Sequence, residues 1–280
     1  MRNFVKISFF MVLLYSQDEL LELINDDSKI NPTPVQATFK ATRIVNSQSI
    51  EMPRAGTLEF MILHRFGSMS NGFYDLFGMD EAVIRFDLKY GIGSNFSFGL
   101  GRSSLKKTYD IFSKFSILKQ KVESGHSPIS LVIFSKVEIE TQTKDAEFIN
   151  RLTYDFQLLI ARKFTRFFSF QIMPTLIHKN LVESQNNLHD LFSIGTGARM
   201  KLSKRISINF DTFIPIGERK VTYQQGWGIG CDIETGGHVF QLMITNSQGA
   251  IESAYIENAT GGFDNLNLYL GFNITRAFSI

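Results

Sequence analysis

Residues 227–245 read WGIGCDIETGGHVFQLMIT, two runs of alternating polarity joined by Gly236-Gly237. A two-residue glycine loop is a strong hairpin signal, because glycine accepts the positive φ that tight hairpin turns demand. It sets Thr235 opposite His238, Ile233 opposite Phe240 and Cys231 opposite Leu242. One face then carries Trp227, Ile229, Cys231 and Ile233 with Phe240, Leu242 and Ile244. The other carries Gly228, Gly230, Asp232 and Glu234 with Val239, Gln241, Met243 and Thr245. Both strands agree on the apolar face. In a membrane, a charge facing lipid at the midplane costs about 2–4 kcal/mol, so Asp232 belongs to the lumen side.

The same period of two recurs along the chain. In the last strand Leu266, Leu268, Leu270, Phe272 and Ile274 alternate with Asn265, Asn267, Gly271, Asn273 and Thr275. Ala82, Ile84, Phe86, Leu88 and Tyr90 alternate with Arg85, Asp87 and Lys89, and 152–160 and 206–211 repeat the pattern. Pro174 interrupts the segment near 168–177 and suggests a bulge, because proline cannot donate to a ladder. Turn lengths add an independent signal. Counted from a first strand near 57–66, even-to-odd connections are short (91–95, 165–167, 203–205, 236–237). Odd-to-even ones are long (67–80, 179–188, 215–224, 246–264), with exceptions at 120–128 and 104–107. Short periplasmic turns alternating with longer outer loops define outer-membrane barrels, and a sandwich has no reason to keep that phase. The expectation is all-β: a closed antiparallel transmembrane β-barrel of about twelve strands.

Composition agrees. The 280 residues include 27 Phe and 21 Gly, and a mean hydropathy of −0.01 is too low for a bundle of spanning helices. A net charge of +2 implies no nucleic-acid partner, and the single Cys231 excludes an internal disulfide. Residues 1–16 read as an export signal, with Arg2 and Lys6 ahead of an apolar stretch from Ile7 to Leu14. Residues 17–55 form a periplasmic or lumen-entering segment: an acidic stretch, QDELLELINDDSKI, then prolines at 32 and 34 and a polar run without strand periodicity. Residues 56–280 form the barrel.

Several stretches resemble a family of β-barrel proteins of unknown function from Bacteroidota: ATFKATRIVNSQSIE (37–51), HRFG (64–67), GRSSLKKTYDIF (101–112), QLLIARKF (157–164), MPTLIHKN (173–180) and DIETGGHVFQLMITNSQGAIE (232–252). The resemblance implies an outer-membrane barrel of a diderm bacterium and no activity. The C-terminal LYLGFNITRAFSI also resembles the signal read by the outer-membrane insertion machinery.

No catalytic residue is assigned, since the chain has no HExxH, GxSxG, P-loop or dinucleotide fingerprint. Ser103 with Lys106 and Ser104 with Lys107 read as loop residues. His238 near Asp232 and Glu234 suggests a metal site, but the hairpin register turns it to the Thr235 face, so no metal or other cofactor is expected. Cys231 is a small apolar group facing lipid, and Tyr90, Tyr154 and Trp227 suit the interfacial girdles. The candidate site is the lumen, where Arg85, Asp87, Lys114, Asp155, Asp211, Asp232 and Glu234 collect with mixed signs. Opposite charges across a narrow lumen pair and fill it, or line a path. Twelve strands enclose more space than side chains fill in an eight-stranded barrel. The stretch 35–55 is therefore a candidate plug, with Arg43 or Arg54 facing carboxylates such as Asp232 and Glu234. The expected function is a narrow channel or small-solute binding barrel of the outer membrane, with membrane lipid and the insertion machinery as partners. The alternative is a structural or assembly barrel that presents its loops or N-terminal segment to a protein partner.

Overall fold

The computed structural model describes residues 33–280 except 123–126, 144, 183–187, 219–222, 260 and 264–265. The expected export signal (1–16) and the acidic stretch 17–30 lie outside the described residues. The first six strands are β1 (Thr57–Ser68), β2 (Ala82–Ile92), β3 (Phe96–Ser103), β4 (Tyr109–Leu118), β5 (Ser130–Ile139) and β6 (Leu152–Lys163). The second six are β7 (Phe168–Lys179), β8 (Asp190–Lys201), β9 (Ile206–Ile216), β10 (Trp227–Thr235), β11 (His238–Thr245) and β12 (Tyr269–Ser279). Each pairs antiparallel with its sequence neighbours, and β1 closes on β12 from Thr57↔Ser279 to Ser68↔Tyr269. Closure removes every sheet edge, which a lipid environment requires because no water is there to satisfy an open ladder.

Period two becomes two surfaces. On the outside, Ile111 and Leu242 are 63% and 53% exposed, and Phe86, Leu100, Phe115, Ile133, Phe210 and Ile214 continue the belt. So much exposed apolar area is compatible with lipid and not with water. The glycine hairpin takes the expected register, with Thr235↔His238 and Cys231↔Leu242, and Cys231 lies on the outer face between Ile229 and Ile233. Trp227 stacks on Phe263 at the end bearing the long loops, the outer end by loop length, where Tyr154 meets His178, and Tyr90 packs on Phe98 near the opposite end.

Three sequence expectations differ from the structure. Pro174 makes no bulge: Gln157↔Thr175 and Ile160↔Ile172 share one register, so the missing N–H leaves a gap in the β6–β7 ladder without a shift. The last strand starts at Tyr269, which leaves Leu266 in the preceding loop, where its φ is 50°, and Leu268 buried just before the strand. The long connection before β12 is not wholly outside. Ala250, Ile251, Glu252, Ala254, Tyr255 and Ile256 are buried, and a single π-helical turn spans Ser253–Glu257.

The lumen is packed. Inward-facing Phe134, Leu159, Met173, Ile177, Leu191 and Phe213 form an apolar patch that meets Tyr255 and Ile256 from the outer loop and Ile50 from the N-terminal segment. The charged side chains line the wall beyond it.

Candidate functional site

The N-terminal segment enters the lumen as a hairpin. Arg43 bridges to Gln48, Ile44 N donates to Ser47 O (2.9 Å), and Ser49 N donates to Thr42 O (3.0 Å). Residues 41–49 are all buried. A turn in such a place leaves several N–H groups aimed outward, and each must find an acceptor. Asp211 on β9 supplies one: its Oδ2 accepts from Val45 N (3.1 Å), Asn46 N (2.8 Å), Ser47 N (2.7 Å) and Ser47 Oγ (2.7 Å). Successive N–H groups converging on one carboxylate form an anion-binding nest, here filled by the protein itself.

The carbonyls of the hairpin are held by cations and amides of the wall. Lys114 on β4 donates to Thr42 O (3.0 Å), Ser49 O (2.7 Å) and Glu51 O (3.1 Å), which occupies all three of its protons. Gln171 donates to Gln48 O and accepts from Ile50 N, Gln241 donates to Ile44 O, and Arg199 donates to Ala37 O. The wall makes room at two glycines. A Cβ at Gly197 would come 2.3 Å from Ile44 Cδ1, and one at Gly228 would come 2.8 Å from Val45 Cγ1.

From the opposite mouth, the π-helical loop inserts Glu252, which is fully buried. It accepts from Gln48 Nε2 (2.8 Å) and Tyr255 Oη (3.1 Å), pairs with Arg43 (3.4 Å), and forms an ion pair with Lys136. The same Arg43 reaches Asp87 (3.5 Å), which pairs with Arg85 (2.6 Å). Arg85 in turn makes a two-pronged contact to Asp110 (2.5 and 2.9 Å). Burial opposes both loop charges. Lys136, Arg43 and Arg85 nonetheless hold the Glu252 carboxyl below the usual carboxylate range. Glu252 and Asp87 hold the Arg43 guanidinium above its ordinary value despite burial.

The candidate residues therefore separate into several places. Arg85 and Asp87 belong to the central network with Arg43. Lys114 and Asp211 grip the hairpin backbone. Asp155 accepts from Gln157 Nε2, and its other oxygen has no hydrogen-bond partner among the described residues. Asp232 and Glu234 do not meet Arg43: Asp232 accepts from Gln241 (2.8 Å) and Ser207, while Glu234, at the inner rim, pairs with Lys40. Arg54 is exposed at the inner mouth, outside this network. Lys40 is half-buried just before the continuous buried run 41–49, and its side chain reaches the rim carboxylate. Glu252, Lys136 and Asp110 act in the site too. Lys136 stands on the inward parity of β5 with Phe134 and Glu138, whereas Glu252 carried no signal because it falls in a loop without periodicity. Among the described residues no group of three His, Cys, Asp or Glu side chains is placed to hold a metal ion.

A cavity opens at each mouth. An outer vestibule of about 780 Å³ is lined by Lys106, Glu138, Arg151, Lys179, Ser247 and Glu257 among others, and its floor is the loop that carries Glu252. A smaller cavity of about 350 Å³ lies at the inner mouth beside Thr38, Glu51, Arg54 and Lys119. Within the barrel, hairpin residues 41–49 and loop residues Ala250, Ile251 and Glu252 are buried.

The sequence profile of the membrane bound beta barrel domain DUF5777 matches residues 39–278, from the lumen hairpin to the closing strand. The chain belongs to that family. The match to DUF5777 covers hairpin residues 39–51 as well as the strands. No curated protein matches the sequence. Solved structures similar to this DUF5777 chain include the NanC porin (10% identity, 78% of this chain and 98% of that one, TM-score 0.49). The COG4313 outer membrane channel from Pseudomonas putida F1 matches at 10% identity over 86% of this chain and 100% of that one, TM-score 0.48. The KdgM porin in complex with disordered oligogalacturonate matches at 9% identity over 79% and 99%, TM-score 0.46.

Proposed function

We propose that this outer-membrane barrel is a narrow channel for small solutes that rests closed, with the hairpin 37–51 as the inner plug and the 246–268 loop as the outer one. The observation that carries this reading is Glu252, one buried carboxylate that holds both plugs at once through Arg43, Gln48 and Lys136. A solute in the outer vestibule would rest on the loop that carries Glu252, so its contacts bear on the carboxylate that holds the plug. The proposed units are an export signal at 1–16, a segment 17–55 that ends in the plug, and a barrel at 56–280 delivered by the insertion machinery through its last strand. The stretches quoted above also support an origin in Bacteroidota.

The test is single-channel conductance in a planar bilayer, comparing the full mature chain with one lacking 17–50, with folding of both checked by heat-modifiable migration. The deletion should conduct well above the full chain. Equal conductance would favour the second reading, an assembly barrel whose N-terminal segment serves a protein partner. That reading is supported by the number of wall residues that grip the hairpin backbone.

A further inference from the structure

The two rims of the barrel differ in charge. The outer connections hold Asp75, Asp80, Glu81, Glu140, Asp145 and Glu147 alongside Lys106, Lys107 and Arg151. At the end bearing the short turns and both ends of the described chain, the turns 164–167 and 202–205 and the strand ends beside them hold Arg162, Arg166, Lys201, Lys204 and Arg205, with no carboxylate in 162–168 or 199–206, while Glu234 of the adjacent hairpin pairs with Lys40. Their backbones are stitched together, since Lys201 N donates to Phe167 O (2.7 Å) and Glu234 N to Arg205 O (2.9 Å). None of these five side chains has an ion-pair partner among the described residues.

The same arc exposes Phe164, Phe167 and Leu202 at 55%, 50% and 55%. The guanidinium of Arg162 lies 5.2 Å from the Phe164 ring and that of Arg166 lies 4.6 Å from Phe167. Stacking holds each arginine beside an apolar ring, with the outward edge of its guanidinium free to donate. Aromatic rings at a strand end mark the headgroup level of a membrane barrel. Arg162 continues the lipid-facing parity of Phe156, Leu158 and Ile160, so the patch is continuous with the lipid belt and not with the lumen.

We propose that this arc of the periplasmic rim, from β6 to β9, is a docking surface for anionic phospholipid of the periplasmic leaflet. Arg162, Arg166 and Arg205 donate to the phosphate oxygens, while Phe164, Phe167 and Leu202 rest against the glycerol and upper acyl region. Phosphate oxygens suit the planar donors of arginine, and an unpaired basic cluster at a membrane surface draws anionic headgroups to it. The inference stands whether or not the lumen conducts.

The experiment uses the full mature chain refolded in maltoside micelles, with bound lipid counted by native mass spectrometry. Phosphatidylglycerol and phosphatidylcholine of identical acyl chains are added in turn. The wild type should retain phosphatidylglycerol in preference, and each arginine removed should lower that preference about fivefold. The triple variant R162Q/R166Q/R205Q should bind the two lipids equally, while K106Q/K107Q at the outer rim should keep the wild-type preference. If the triple variant does not show heat-modifiable migration, the single variants R162Q and R166Q, each with about a fivefold expected loss, decide the matter. An unchanged preference in the folded variant would overturn the proposal. Loss of the bound lipid to an equal concentration of inorganic phosphate would also overturn it, because the patch would then be a site for any anion.

Discussion

The two segments that fill the lumen are held in different ways. The N-terminal hairpin is gripped by its backbone: Lys114 takes its carbonyls and Asp211 takes its N–H groups, and Gln171, Gln241 and Arg199 complete the hold. The outer loop is held mostly by side chains, through Glu252 to Lys136, Arg43 and Gln48 and through Tyr255 and Ile256 on the apolar patch. A backbone grip depends on the wall and little on the identity of the gripped residues, whereas a side-chain grip concentrates in one carboxylate. The outer plug is therefore the more easily released of the two by a single event.

The largest effect should come from E252A. Removing one partner of a buried pair costs about 3–5 kcal/mol when the other charge is left alone; Lys136 keeps Glu138 and Arg43 keeps Asp87, so the loss here lies at the low end, about 3 kcal/mol. Urea unfolding in detergent should show the loss, and bilayer recordings should show openings that the wild type lacks. A silent variant of unchanged stability would mean that the loop is held by its apolar contacts instead.

D211A should cost less, about 2–3 kcal/mol, because the stranded groups are neutral N–H donors and some regain water. Its signature is location: limited proteolysis should cut within 37–51 while the outer loop stays protected. Cleavage confined to 246–268 would reverse the assignment of the two grips.

The packing of the hairpin should give the smallest effects. G197A should cost about 1–3 kcal/mol by pushing on Ile44, and I44V alone about 0.5–1.5 kcal/mol. Because the two residues touch, the double variant should be less destabilised than the sum. Strict additivity in a double-mutant cycle would show that Ile44 does not occupy the space beside Gly197.

Much of the wall was legible without coordinates. The parity of Arg85, Asp87 and Lys114, of Asp155 and Asp211, and the register at Gly236-Gly237 all follow from neighbours two residues apart or across a tight turn. The phase of turn lengths carried the strand count. Parity, however, separates only inside from outside. It did not show that Phe134, Leu159, Met173 and Phe213 would make part of the inside apolar, because a lumen filled by protein accepts either kind of side chain.

The sequence by itself determined the closed barrel, its lipid-facing belt and the side on which each strand residue points, since all of these are written in local alternation and turn length. Tertiary structure alone decided what occupies the lumen and which charges meet there. Asn46 and Asp211 stand 165 positions apart, and Gln48 and Glu252 stand 204 apart. Segments without periodicity carry no local mark of such partners. Arg43 was expected to face Asp232 and Glu234, but it meets Asp87 and Glu252, because the partner of a buried charge is set by where the barrel brings the far ends of the chain.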